Sequence, residues 1–165
     1  MDTDQINGIF KKNMSMVYGY LRKLGVTHSD AEDIVQDTLY KALVHIELID
    51  PDKFRAWLYK VAINNYYDLC RKRKKHQHLP LDSLNLKDSL TPEDYSLNRE
   101  KEATVLRVYS ELKPVYKHLL YLKYQAGLTY KEIAEVLNIN IETVKKYLYR
   151  GRKRFEEEYR RLSDD

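Results

Sequence analysis

The chain has 165 residues, with 29 Lys and Arg against 25 Asp and Glu and a formal net charge of +4. That length leaves room for one domain or two small ones. Cys70 is the only cysteine and there are 5 glycines, which excludes an intrachain disulfide, a cysteine-cluster metal site and a Gly-rich phosphate loop.

No apolar run approaches a membrane span, and Met1-Asp2-Thr3-Asp4 lacks the basic and apolar regions of a signal peptide. A cytoplasmic chain with no direct membrane insertion is expected. The charge is segregated. Acids gather at Asp30 to Asp37, and bases crowd residues 71–75 and 145–154. Basic stripes of this kind are the electrostatic footprint of a polyanion.

The first predicted helix carries Ile6, Ile9, Phe10, Val17, Leu21 and Leu24 on one face, with Gly25 suited to the left-handed position past its end. Ser29-Asp30-Ala31-Glu32 has the form of a capping box opening a second helix. Its core face is Ala31, Ile34, Val35, Leu39, Ala42 and Leu43, and its opposite face shows Asp33, Gln36, Asp37 and Tyr40. By itself that acidic face reads as readily as solvated surface as it does as a docking site.

Asp50-Pro51-Asp52 breaks the chain before a long third helix, Phe54 to Lys75. Phe54, Trp57, Leu58, Val61, Ala62 and Leu69 fall at the spacing of one buried face, so Trp57 is assigned to the core. Lys60, Asn64, Tyr67, Asp68 and Arg71 fall on another. That second face offers an amide for a base edge, a ring for stacking and cations for phosphate. Arg71-Lys72-Arg73-Lys74-Lys75 extends it as a phosphate clamp. These helices make a first domain over residues 1–75.

Residues 76–91 have no usable period and combine Pro80 with Ser, Asp and Asn, which suits a flexible linker. His76 and His78 have no further ligand at a metal-binding spacing, so no metal or other cofactor is expected. Thr91-Pro92-Glu93 reopens a helix, and residues 92–165 form a second helical domain. The fold class is all-α, with two small domains.

Residues 129–154 have the layout of a helix-turn-helix. Thr129-Tyr130-Lys131-Glu132 is a capping box, Ile133, Ala134 and Leu137 face inward, and Asn138-Ile139-Asn140 supplies the turn. The second helix buries Ile141, Val144, Leu148 and Phe155. It displays Glu142, Lys145, Lys146, Tyr149, Arg150, Lys153 and Arg154. A short helix, a tight turn and a basic second helix are the geometry that enters a DNA major groove.

Two segments resemble one family. Asp30-Ala31-Glu32-Asp33-Ile34-Val35-Gln36-Asp37-Thr38 is similar to the opening of the second conserved region of bacterial sigma factors. Phe54 to Asn64, with Asp68 and Arg71, resembles the promoter-melting segment of the extracytoplasmic-function branch. Leu112-Lys113-Pro114, Tyr124 to Ala134 and Thr143-Val144-Lys145 resemble the fourth region.

The resemblance implies a non-enzymatic factor that brings RNA polymerase core to promoter DNA, with no small-molecule substrate and with an anti-sigma factor as a further partner. It implies that Asp33, Gln36, Asp37 and Tyr40 meet polymerase. Glu47, Asp50, Asp52 and Lys53 would belong to a loop that captures a flipped minus-ten base, with Lys60, Asn64, Tyr67, Arg71 and Arg73 along the unpaired strand. Lys145, Lys146, Tyr149, Arg150, Lys153 and Arg154, with Thr129 and Tyr130, would meet the minus-thirty-five element. Two other readings fit parts of the chain: a stand-alone helix-turn-helix regulator of duplex DNA, and a helical adaptor that binds only protein.

Overall fold

The computed structural model describes residues 2–73 and 99–164, and all of their regular structure is helical. α1 (Thr3–Lys23), α2 (His28–Val44) and α3 (Phe54–Lys72) form one bundle. α4 (Arg99–Glu111), α5 (Pro114–Leu120), α6 (Tyr130–Leu137) and α7 (Ile141–Ser163) form a second. The all-helical, two-domain reading holds. The linker at 76–91, the cations Lys74 and Lys75, His76 and His78, and the Thr91-Pro92-Glu93 start signal lie outside the described residues.

Local chemistry sets most of the element ends. α1 stops at a Gly25 with φ of 90°. α2 begins two residues earlier than its sequence suggests. Thr27, in extended backbone, accepts the Asp30 N–H at 3.2 Å and so takes the capping role from Ser29. Ahead of α3, Asp50 Oδ1 accepts the Asp52 N–H at 3.0 Å and closes the single turn Pro51–Lys53.

The second bundle follows its signals closely. The Thr129 hydroxyl accepts the Glu132 N–H at 3.1 Å, and the Glu132 carboxylate accepts the Thr129 N–H at 3.0 Å. Asn138 has φ of 53°, and Asn140 Oδ1 accepts the Glu142 N–H at 2.8 Å to start α7. α5 runs directly into a π-helical turn, Tyr121–Gln125. Gly127, with φ of 70°, then turns the chain, and a Cβ there would lie 2.9 Å from Arg55 Nη1.

The inward faces are mostly as the periodicity requires. Ala31, Ile34, Ala42, Leu58, Ala62, Ile133, Val144 and Leu148 are buried. Leu43 departs from this. It is 55% exposed, and Thr38 is buried on α2 with its hydroxyl donated to the Ile34 carbonyl at 2.7 Å. Satisfying that hydroxyl inside its own helix removes the penalty for burying it.

The two bundles share one continuous core. α3 lies along α6, and the end of α1 meets α5 and the π-helical turn. Tyr20 of α1 is fully buried at this junction. Its ring stacks on Tyr121 at 5.4 Å and meets the edge of Tyr59 at 5.2 Å. At the rim, Arg55 donates to the Ala126 carbonyl at 3.1 Å and Lys23 to Gln125 Oε1 at 3.3 Å.

Candidate nucleic-acid interface

Asp33, Gln36, Asp37 and Tyr40 recur every three or four residues along α2, and all are exposed. Asp33 and Gln36 make no hydrogen bond or ion pair among the described residues. Asp37 does. It pairs with Lys41 at 3.0 Å and accepts from Asn65 Nδ2 at 2.7 Å, while Lys41 donates to Asn65 Oδ1 at 3.1 Å. That ring fastens α2 to α3. The stripe continues into apolar surface at Leu43, Val44 and Leu48, of which Leu48 is 83% exposed. The acidic stripe thus ends in a run of exposed apolar side chains. The apolar part was not legible beforehand, because the period placed Leu43 in the core.

Glu47, Asp50, Asp52 and Lys53 are exposed on the segment between α2 and α3. Lys60, Asn64 and Arg71 are exposed along α3, and Tyr67 between them is half-buried and packed on the core. Burial raises the Tyr67 phenol above its usual pKa, which keeps it a neutral hydrogen-bonding group. Arg71 is held by Asp68 one turn earlier. Arg73 is engaged differently, by two parallel bonds to the Asp30 carboxylate at 2.6 and 2.9 Å. It becomes available to a phosphate only by leaving Asp30. Trp57 is partly buried against the core, as its place on the apolar stripe requires.

The docking of the bundles adds a cleft between the start of α3 and α6. Asp52, Lys53, Trp57 and Lys60 line one wall of this cleft, of about 400 Å³, and Thr129, Lys131, Glu132 and Glu135 line the other.

On α7, Lys145, Lys146, Tyr149, Arg150, Lys153 and Arg154 are all exposed. Lys145 has Glu142 at 3.6 Å, and Lys153 lies over the Tyr149 ring at 5.9 Å. Arg154 stands apart from the group. It bridges to Glu157 at 3.7 Å and Glu158 at 3.1 Å, so its charge is already offset. Thr129 spends its hydroxyl on the helix cap. Tyr130 is half-buried and receives a hydrogen bond from Arg152 at 3.1 Å. Arg152, with Tyr124 and Lys123 beside it, was missed by the sequence reading. The only prior signal was its place seven residues after Lys145.

Among the described residues there is no cluster of three His, Cys, Asp or Glu able to hold a metal ion, and no helix is long and apolar enough to cross a membrane.

Comparison with known proteins agrees with this division. Residues 9–76 match the family described as Sigma-70 region 2, and residues 103–155 match Sigma-70, region 4. The ECF RNA polymerase sigma factor SigM of Bacillus subtilis is 31% identical, over 97% of this chain and 98% of that one. SigW of the same organism, also an ECF RNA polymerase sigma factor, is 34% identical over 86% of this chain and 81% of its own. Among solved structures, the sigma factor RpoE of Bartonella quintana, in complex with the anti-sigma factor NepR, shares the fold. Its TM-score is 0.61 at 22% identity, covering 96% of this chain and 98% of that one. The chain belongs to the extracytoplasmic-function branch of the RNA polymerase sigma factors, which bind polymerase core and direct it to promoters.

Proposed function

We propose that the chain divides this work among three of its surfaces. The α2 stripe of Asp33, Gln36, Asp37 and Tyr40 docks on polymerase core. The segment from Glu47 to Lys53, with Lys60, Asn64, Tyr67, Arg71 and Arg73, holds the minus-ten strand once it is unpaired. Thr129, Tyr130, Lys145, Lys146, Tyr149, Arg150, Lys153 and Arg154 face the minus-thirty-five element.

One observation carries the reading. The acidic stripe and the two basic faces lie on three different helices, and each is exposed on a rigid element whose other face is core. Cations set register on the backbone without reading sequence, and a few side chains read bases. Opening duplex DNA is unfavourable, and an extruded base held on a loop or ring offsets part of that. The chain supplies positioning and binding, with no catalytic group of its own, and acts in the cytoplasm. An anti-sigma factor is a further partner, as NepR is for the Bartonella RpoE.

Two weak DNA-binding units gain from effective concentration only when their separation matches the two promoter elements. In the described arrangement the bundles are docked on each other and Lys60 shares a cleft with Lys131 and Glu132. The free chain therefore binds promoters weakly, and polymerase sets the working separation.

Purified chain, polymerase core and promoter DNA test this together. Transcription from a defined start that depends on both proteins supports the proposal. Sequence-specific duplex binding without core would instead support the stand-alone helix-turn-helix regulator, and binding to core without promoter-directed transcription would support the protein adaptor.

A further inference from the structure

We propose that Arg152, Lys123, Tyr124 and Tyr130 form a binding site for one backbone phosphate of the DNA that α7 engages. This rests on α7 being the recognition helix, and adds Arg152, Lys123 and Tyr124 to Tyr130, which that reading already places at the minus-thirty-five element.

Among the described residues, the ion pairs along α7 leave two arginines, Arg150 and Arg152, without a carboxylate, and of these Arg152 is the one held in place by hydrogen bonds. Arg154 pairs with Glu157 and Glu158, Arg160 with Glu156, and Arg161 with Glu158 and Glu111. Arg152 meets no carboxylate among the described residues. Its two bonds go to neutral phenols, Tyr130 at 3.1 Å and Tyr124 at 3.3 Å, and both leave from Nη1. The Nε and Nη2 donors make no bond among the described residues. A guanidinium held in place by neutral groups, with donors unspent, is preorganised for two parallel bonds to an anion.

A second cation is on the same ring. Lys123 Nζ lies 4.8 Å from the Tyr130 ring centre and makes no ion pair among the described residues. Two cations with no carboxylate partner among the described residues thus hold to one tyrosine, Arg152 at its hydroxyl and Lys123 over its ring, and an anion beside that tyrosine meets both.

The position identifies the anion. Arg152 follows Lys145 by seven residues, two helical turns, so both lie on one face about 10 Å apart along the axis. Tyr130 is in the first turn of α6, and Tyr124 is 60% exposed just ahead of it. In a helix-turn-helix the first helix crosses the DNA backbone while the second enters the groove. Cations at the junction of the two therefore face a phosphate at the groove edge, and bases lie beyond their reach.

The test uses polymerase holoenzyme carrying Arg152→Gln or Lys123→Gln, with promoter affinity measured over a series of salt concentrations and of minus-thirty-five sequences. Each substitution is expected to weaken binding alike for all sequences and to reduce the slope of log K against log salt by about 1. Arg152→Lys, which keeps the charge, should retain most of the slope. An unchanged slope in both neutral variants overturns the site and leaves Arg152 as a brace for two tyrosines. Among the described residues Lys123 makes a ring contact and no hydrogen bond or ion pair, so its variant remains informative even if Arg152→Gln unfolds. Failure of the recognition-helix reading is seen separately, as unchanged base preference in variants of Lys145, Lys146 and Arg150.

Discussion

Tyr20 Oη and His118 Nε2 lie 2.5 Å apart in a fully buried hydrogen bond that joins the two bundles across 98 residues of sequence. The other ring nitrogen, Nδ1, has no partner among the described residues. Tyr20→Phe removes the bond and leaves a second imidazole nitrogen buried without a partner. It is expected to lower stability by about 1–3 kcal/mol. A double-mutant cycle with His118→Phe, read by urea unfolding, checks it. Zero coupling between the two positions would show that the bond contributes nothing.

The same histidine predicts a pH dependence. Burial lowers its pKa from 6.5 to about 3, because charging the ring there requires removing the imidazolium from water. Tyr20, its hydrogen-bond partner, and Tyr121, stacked on Tyr20, are phenols pushed upward by burial, so they stay neutral in the same range. Above pH 6.5 neither the folded nor the unfolded chain protonates the ring, and stability is at its full value. Between 6.5 and 3 the unfolded chain binds the proton and the folded one does not. Stability therefore falls with falling pH, by about 2 kcal/mol at pH 5. The difference between wild type and His118→Phe across pH 7.5 to 5 isolates this term. Parallel pH profiles for the two proteins would refute it.

Charge reversal on the acidic stripe separates docking from folding. Asp33→Lys removes an exposed carboxylate with no partner among the described residues, so it should weaken binding to polymerase core roughly tenfold and leave the thermal midpoint unchanged. Asp37→Lys should weaken both, since Asp37 also holds Lys41 and Asn65. Normal core affinity in the double variant, measured by competition for core, would exclude this face.

On α7 the structure orders the expected effects. Lys145→Ala, Lys146→Ala or Arg150→Ala at a base-reading position should raise the binding free energy by about 1–3 kcal/mol and relax preference at one base pair. Lys153→Ala should weaken all sequences alike and flatten the salt dependence. Arg154→Ala should do least, because Glu157 and Glu158 already offset its charge. Selection from a randomised minus-thirty-five element reads all five; an effect at Arg154 equal to that at Lys145 would contradict the ordering.

Strand opening is the last expectation. Asn64 is exposed on α3 in line with Lys60, and the preceding segment is open to solvent from Glu47 to Lys53 apart from a half-buried Ile49. Contacts to an unpaired strand exist only after bases leave the stack, so Asn64→Ala and substitutions of Glu47 or Asp50 should impair open-complex formation more than initial binding. Permanganate reactivity of the minus-ten region, beside a closed-complex assay, measures both steps. A premelted template should rescue these variants, and a defect confined to closed-complex binding would rule the melting role out.

What the sequence determined by itself was local. The capping pair of Thr129 and Glu132, the turn at Asn138-Ile139-Asn140 and the exposed cations of α7 were all legible, because caps and the 3.6-residue period act within a few residues. The assignment of Leu43 to the core and of the α2 cap to Ser29 failed where a neighbouring choice, buried Thr38 or extended Thr27, competed successfully. Only the tertiary structure decided that Tyr20, Tyr59, His118 and Tyr121 close the two bundles into one core, and that Asp30 holds Arg73 while Arg152 is held by the hydroxyls of Tyr124 and Tyr130. Those pairings join residues 98 and 43 positions apart in two cases. Contacts at such separations leave no period in the chain, and they exist only once whole helices have been placed side by side.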